Sequence, residues 1–220
     1  DESLDAIAAG NAGPSIAPAT IIEQGGERIG VVGATTQIIE SVSSVGGVDE
    51  TTTGANDMAA LAAIIQPQID ALIADGVNKI IVTSHLQQFA LDQELAGLLS
   101  GVDIIIAGGS NTLQADDQDR LRSGDEAEEV YPFETTNADG EPAVIVGTDG
   151  EYSYVGRLVV EFDDAGVLNL ESIDAASSGV FATDEAGTLA VTGAGSLEEA
   201  IDGSTTADIV EDLTSAIAGI

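Results

Sequence analysis

The stretch from Asn78 to Thr112 limits the possible folds more than any other. Its first run, Lys79-Ile-Ile-Val-Thr83, is short, apolar and β-branched, which suits a buried strand. The run ends on Ser84-His85, which holds the chain's one histidine. A helical pattern follows, with Leu91, Leu95, Leu98 and Leu99 at spacings of three and four. Asp92 near its start and Gly101 just past its end agree with helix polarity. A second run, Val102 to Ala107, leads into Gly108-Gly-Ser-Asn-Thr112. Two such strands about 20 residues apart, with a helix between them, make a β-α-β unit with parallel strands and a right-handed crossover. Both strands then end on the carboxyl edge of one sheet, where open α/β sheets build their sites. His85 and Asn111 have a geometric route to one another there.

The flanking sequence extends this unit into a mixed α/β pattern. Residues 1–20, rich in Ala, Gly and Pro, read as an extended lead-in. Ile21-Ile22 opens a strand, Gly25-Gly26 makes a hairpin turn, and Arg28 to Gly33 is the next strand, apolar enough to be buried on both faces. Ser41 to Thr53 reads as an exposed loop. Asn56 or Asp57 caps a helix running to Asp75, with Met58, Leu61, Ile64, Ile65, Ile69, Leu72 and Ile73 as its buried stripe. Pro67 predicts a kink or a break, and Gly76 the stop. Leu113 to Thr136 is a long surface excursion carrying Asp116, Asp117, Asp119, Asp125, Glu126, Glu128 and Glu129. Ala143 to Val146 and Tyr154 to Phe162 read as strands, the second turning at Asp163 to Gly166 and returning over Val167 to Ile173. These segments make 21–174 one domain. The Ala, Ser, Gly and Thr-rich residues 175–203 read as linker. Residues 204–220 read as a terminal helix, with Ile209, Leu213 and Ile217 on one face, leading toward a domain absent from the chain or a neighbouring chain.

Charge narrows the partners. The chain has 39 acidic against 5 basic residues, a net −34. A nucleic acid polymer and an anionic membrane both need clustered Lys and Arg, so neither is expected as a partner. Yet 44% of residues are hydrophobic, enough to build a core despite the charge. Two readings of the acidic surface stand: adaptation to high salt, as in halophilic or marine proteins, or secretion into a medium rich in divalent cations. The chain has no cysteine, which fits an extracellular or periplasmic protein. It opens on Asp1-Glu2-Ser3 with no leader-like sequence, as a mature or excised piece would.

Four segments carry a family resemblance. Glu27 to Thr36 is similar to the "kIGviGlTT" segment of the 5′-nucleotidase family of calcineurin-like metallophosphoesterases. Asn78 to His85 resembles that family's "vdkIIvlsH", Gly101 to Thr112 its "GvDiIigGHsHt", and Pro142 to Gly166 its "vGrLdvtFDdaG" strand pair. The resemblance implies part of a four-layer αββα sandwich with mixed sheets. It implies a centre of two divalent metal ions that clamp a phosphate and activate water, acting on a nucleotide or another small-molecule phosphate ester. Residue by residue, it makes His85 and Asn111 metal ligands. Gly109 falls where the first histidine of the "GHsH" motif stands in the family. Gly108, Gly109 and Ser110 suit a backbone cradle for phosphate, with Asp149 in support, although tight turns are the plainer reading of both.

The acidic excursion offers carboxylates for surface Ca²⁺ without the regular spacing of a calcium loop, so a solvated surface is the plainer reading there. The family's Asp-x-His and Gly-Asn-His-Glu motifs do not occur in this sequence. The expectation is therefore the second half of a catalytic domain that requires its N-terminal half as a partner. The alternative is a non-catalytic extracellular structural or interaction protein that reuses the fold.

Overall fold

The structure is a computed structural model in which residues 17–44 and 55–202 are described. The terminal helix expected over 204–220, most of the lead-in and most of the loop before Asp57 lie outside the described residues.

A six-stranded mixed sheet forms the centre. Its strands are β1 (Ala19–Gln24), β2 (Glu27–Thr35), β3 (Ile80–His85), β4 (Ile104–Ile106), β5 (Phe133–Thr136) and β6 (Pro142–Val146), in the order β1-β2-β3-β4-β6-β5. β2, β3, β4 and β6 run parallel, and β1 and β5 close the edges antiparallel. The β1–β2 hairpin turns on Gly25 and Gly26, both at positive φ (62° and 91°), the geometry that a two-residue hairpin turn demands.

Helices cover one face of this sheet. A short α1 (Ile39–Val42) follows β2, and α2 (Met58–Ala74) and α3 (Phe89–Ala96) pack on the sheet. Asp57 caps α2 by accepting the Ala60 N–H at 2.9 Å. The helix runs on through Pro67 without a break. Its buried line is Met58, Leu61, Ile65, Ile69 and Leu72, whereas Ile64 and Ile73 are 47% and 44% exposed, so the stripe is narrower than its composition suggests. Val32, Ile80, Val82, Ile105 and Ile145 meet these helices from successive strands. In β2, Gly30 and Val32 are buried while Val31 is half-buried and Gly33 exposed, so the strand is buried on its helix side only. A Cβ at Gly30 would stand 2.8 Å from both Ile80 Cδ1 and Leu72 Cδ1, which is why glycine occupies that position.

A second β layer covers part of the other face. β7 (Tyr154–Arg157) pairs with β10 (Gly179–Ala182), and β8 (Glu161–Phe162) pairs with β9 (Leu168–Asn169). Tyr154, Leu168 and Val180 pack with Ile104, Val144 and Val146 of the large sheet. The single strand expected over Tyr154 to Phe162 is thus two strands in different sheets. Residues 175–202, read as linker, hold β10, α4 (Glu185–Thr192) and α5 (Leu197–Ile201). Asp184 caps α4 by accepting the Gly187 N–H at 2.8 Å, and Gly193 ends it at φ +70°. α4 packs on β10, giving the layer order helix, sheet, sheet, helix.

Candidate functional site

Parallel register brings four strand ends to one edge. Thr35 pairs with His85, Thr83 with Ile106, and Ile106 with Val146. The turns beyond these strands therefore lie side by side. They hold Thr36-Gln37, His85, Gly108 to Asn111, and Gly147 to Gly150.

His85 is exposed at the end of β3, and its imidazole lies against the Gly108–Gly109 turn. A Cβ at Gly109 would stand 2.8 Å from the imidazole Nε2 and Cδ2. One at Gly108 would stand 2.8 Å from the Ser84 carbonyl oxygen and 3.5 Å from His85 Nδ1. Gly109 also has φ +83°, where a side chain is strained. The histidine ring thus occupies the space that a side chain at 109 would need.

Asn111 adopts the left-handed region at φ +54°, which asparagine tolerates better than most residues. Its Oδ1 lies 2.8 Å from the point where a Cβ on Gly150 would stand. Asp149 Oδ1 accepts the Gly150 N–H at 2.7 Å, so this carboxylate shapes its own turn. Ser110 Oγ accepts the Thr112 N–H at 3.3 Å and does likewise. Gly108, Gly109, Asn111 and Asp149 line a cavity of about 540 Å³ with apolar walls from Ile106 and Val146. His85 and Ser110 are not among its lining residues.

Three buried polar residues around this edge carry no sequence signal. Asp92 on α3 is fully buried and accepts the Ser84 hydroxyl proton at 2.5 Å, directly behind His85. Burial pushes its carboxyl up to about 6, against the Ser84 hydrogen bond, and its second oxygen has no hydrogen-bond partner. Ser84 Oγ is also 3.2 Å from the Ile106 carbonyl, tying β3, β4 and α3 together. Gln114 is fully buried; its Nε2 donates to the carbonyls of Val130 and Ile145, and its Oε1 is unpartnered. Gln37 accepts the Asp57 N–H at 2.6 Å and leaves its Nε2 unpartnered. From the sequence Asp92 reads only as an acid near the start of the helix, which says nothing of this burial.

The acidic excursion is stitched down. Asp119 accepts the N–H groups of Asp116 and Val180, Asp116 accepts that of Gln118, and Asp125 accepts the Tyr154 hydroxyl proton at 2.7 Å. Among the described residues no three His, Cys, Asp or Glu side chains gather closely enough to hold a metal ion. The surface Ca²⁺ site that is the less plain reading of this stretch is not formed by the described residues, because several of the carboxylates are committed to backbone amides and a tyrosine.

Polar turns gathered at the carboxyl edge of a parallel sheet, inside helix-sheet-sheet-helix layering, define an α/β domain with a candidate site at its strand ends. No protein-family model matches the chain. It is 34% identical over 154 residues to the 5′-nucleotidase of Mus musculus, covering 68% of this chain and 24% of that protein. It is 32% identical over 158 residues to the snake venom 5′-nucleotidase of Crotalus adamanteus, covering 72% and 25%. The fold is similar to that of a 5′-nucleotidase precursor from Thermus thermophilus, with TM-score 0.56 and 31% identity over 70% of this chain and 28% of that one. Over the matched residues the chain resembles a fragment of the 5′-nucleotidase family. It spans about a quarter of the length of the curated relatives it matches.

Proposed function

We propose that this chain is part of an exported, metal-dependent phosphoesterase that hydrolyses nucleotides or other small phosphate monoesters. The observation that carries this reading is its identity to 5′-nucleotidases, together with His85 and Asn111 on adjacent turns of the carboxyl edge. The venom relative and the absence of cysteine support export.

A two-metal centre would polarise the phosphoryl group and supply a nucleophilic water at neutral pH. The described residues do not suffice for such a centre. His85 offers an imidazole nitrogen and Asn111 an amide oxygen, Gly109 offers no side chain, and no carboxylate cluster stands beside them. The remaining ligands belong outside the described residues in this reading. What these residues contribute is position. The Gly108–Gly109 turn braces the imidazole, the Ser84–Asp92 pair holds the strand behind it, and the cavity beside Asn111 is walled by Ile106 and Val146.

The test is hydrolysis of adenosine 5′-monophosphate by the protein as isolated, with intact mass and metal content measured on the same sample. His85→Ala is expected to lower activity about 100-fold, the scale of losing a metal-site interaction. Undiminished activity in that variant would remove His85 from the site. A protein of intact mass well above that of this chain that is nevertheless metal-free and without phosphatase activity would overturn the proposal.

A further inference from the structure

The chain's scarce positive charge collects away from the strand-end site. Of its five basic residues, Arg120 and Arg157 line a cavity of about 890 Å³ between the outer face of the β7–β10 sheet, the acidic excursion and α4. Arg122 stands near enough to act on the Asp184 carboxyl, which is held below the usual range first by the Gly187 N–H and then by Arg120. Arg120 is paired with Asp184. The side chains of Arg122 and Arg157 have no hydrogen-bond or ion-pair partner among the described residues. In a chain of 39 acids and 5 bases, an unpaired arginine on a cavity wall runs against the odds.

The register explains why Arg157 stays open. Arg157 is opposite Gly179, and Val155 is opposite Phe181. Opposed residues share a face, so these side chains lie on the side away from Tyr154 and Val180, which are buried toward the large sheet. Gly179 puts no side chain of its own across from the guanidinium, and the Asp119 carboxylate stands in the space its side chain would take. Val155 and, on α4, Val191 are 58% and 61% exposed. Asp119 also reaches this cavity, but both its oxygens accept backbone N–H groups, at 2.9 and 3.0 Å. Val155 and Phe181 thus give the floor an apolar part, with the free forked donor of Arg157 at its end and the amide-bound Asp119 carboxylate across from it.

We propose that this groove is a second binding site, for a small organic anion: a phosphate or carboxylate group carried on a flat apolar body. Arg157 takes the oxyanion, since a planar guanidinium matches two oxygens at once. Val155 and Phe181 take the apolar body. The site is separate from the strand-end cavity, with only Gly156 on the wall of both. It stands whether or not the phosphoesterase reading does.

Calorimetric titration of the purified protein with phenylphosphonate, benzoate and neutral phenol tests this. Saturable binding of either anion, and none of phenol, is expected; which anion binds tells phosphate from carboxylate recognition. Arg157→Gln should weaken it at least about tenfold, and Val155→Asp, an exposed change that adds a negative charge to the floor, should do the same. His85→Ala should leave it unchanged. Thermal unfolding of each variant confirms that it is folded. The proposal is overturned if neither anion binds, if both groove variants bind like the parent, or if only His85→Ala abolishes binding.

Discussion

Asp103 shows how one buried carboxyl sets a pH dependence. It accepts the Ile80 N–H at 2.7 Å near the amino ends of β3 and β4. Burial pushes it from 3.8 to about 7, with Glu141 adding to the rise and the Ile80 amide and Lys79 opposing it. The folded chain therefore keeps a proton that the unfolded chain releases between pH 3.8 and about 7, and stability falls as pH rises through that window. Asp92, pushed to about 6, acts in the same direction up to about 6. Asp103→Asn keeps an acceptor for the Ile80 amide and carries no charge. It should be more stable than the parent at pH 8 by roughly 2–4 kcal/mol, with the difference closing toward pH 4. Urea unfolding at both pH values measures this, and an advantage that persists at pH 4 would refute the burial argument. Gly109 is the other informative residue. From the sequence it is a lost ligand; in the structure its missing side chain is filled by the His85 ring. Gly109→Ala should cost about 1–3 kcal/mol through its positive φ and should displace the ring. The chain's one histidine gives one pair of ring C–H signals by nuclear magnetic resonance, and an unshifted pair in the variant would contradict that geometry.

At the scale of elements, what the sequence made legible was what local chemistry decides. The β1–β2 hairpin follows from two adjacent glycines, α2 from its Asp57 cap and apolar line, and β3-α3-β4 from two β-branched runs about a helical repeat. The edge bearing His85 and Asn111 was legible for the same reason, since parallel pairing fixes where strand ends fall. Depth was not legible. That Ser84 and Asp92 pair behind His85, and that Asn111 leans on Gly150, depends on tertiary contacts that no spacing encodes. β10 and α4 were hidden by small residues, because their order comes from capping and from a contact 61 residues away, Asp119 to the Val180 N–H. Asp119→Ala removes two acceptors from amides that pack beneath the excursion and should cost about 1–3 kcal/mol. Amide exchange should then quicken at Val180 in β10 and stay unchanged at Val82 in β3. Equal quickening at both would mean that the excursion supports the whole domain.

For the whole molecule, charge dominates. The described residues hold three ion pairs, Arg28–Asp75, Lys79–Glu27 and Arg120–Asp184, each engaging one acidic side chain. With 39 acidic against 5 basic residues, few carboxylates can find a basic partner, and a net charge of −34 opposes the compact state. That repulsion reaches roughly 30 Å at 0.01 M salt and about 3 Å at 1 M. Raising NaCl from 0.01 to 1 M at pH 7.5 should raise Tm by about 5–10 °C, as a gain of roughly 2–3 kcal/mol would in a chain of this length. The same rise would follow if salt merely strengthened apolar burial, so pH must separate the two causes. Near pH 4 about half of ordinary carboxyls are neutral. About 20 remaining carboxylates against 5 basic residues leave a net charge of about −15 in place of −34, and self-repulsion scales with its square, so its share of the salt effect should drop to roughly a fifth. Apolar burial does not change with ionisation and would keep its full salt dependence. Calorimetric melts at the two pH values, each over the full salt range, decide the matter: a salt slope at pH 4 equal to that at pH 7.5 would rule out charge repulsion as the term that salt relieves.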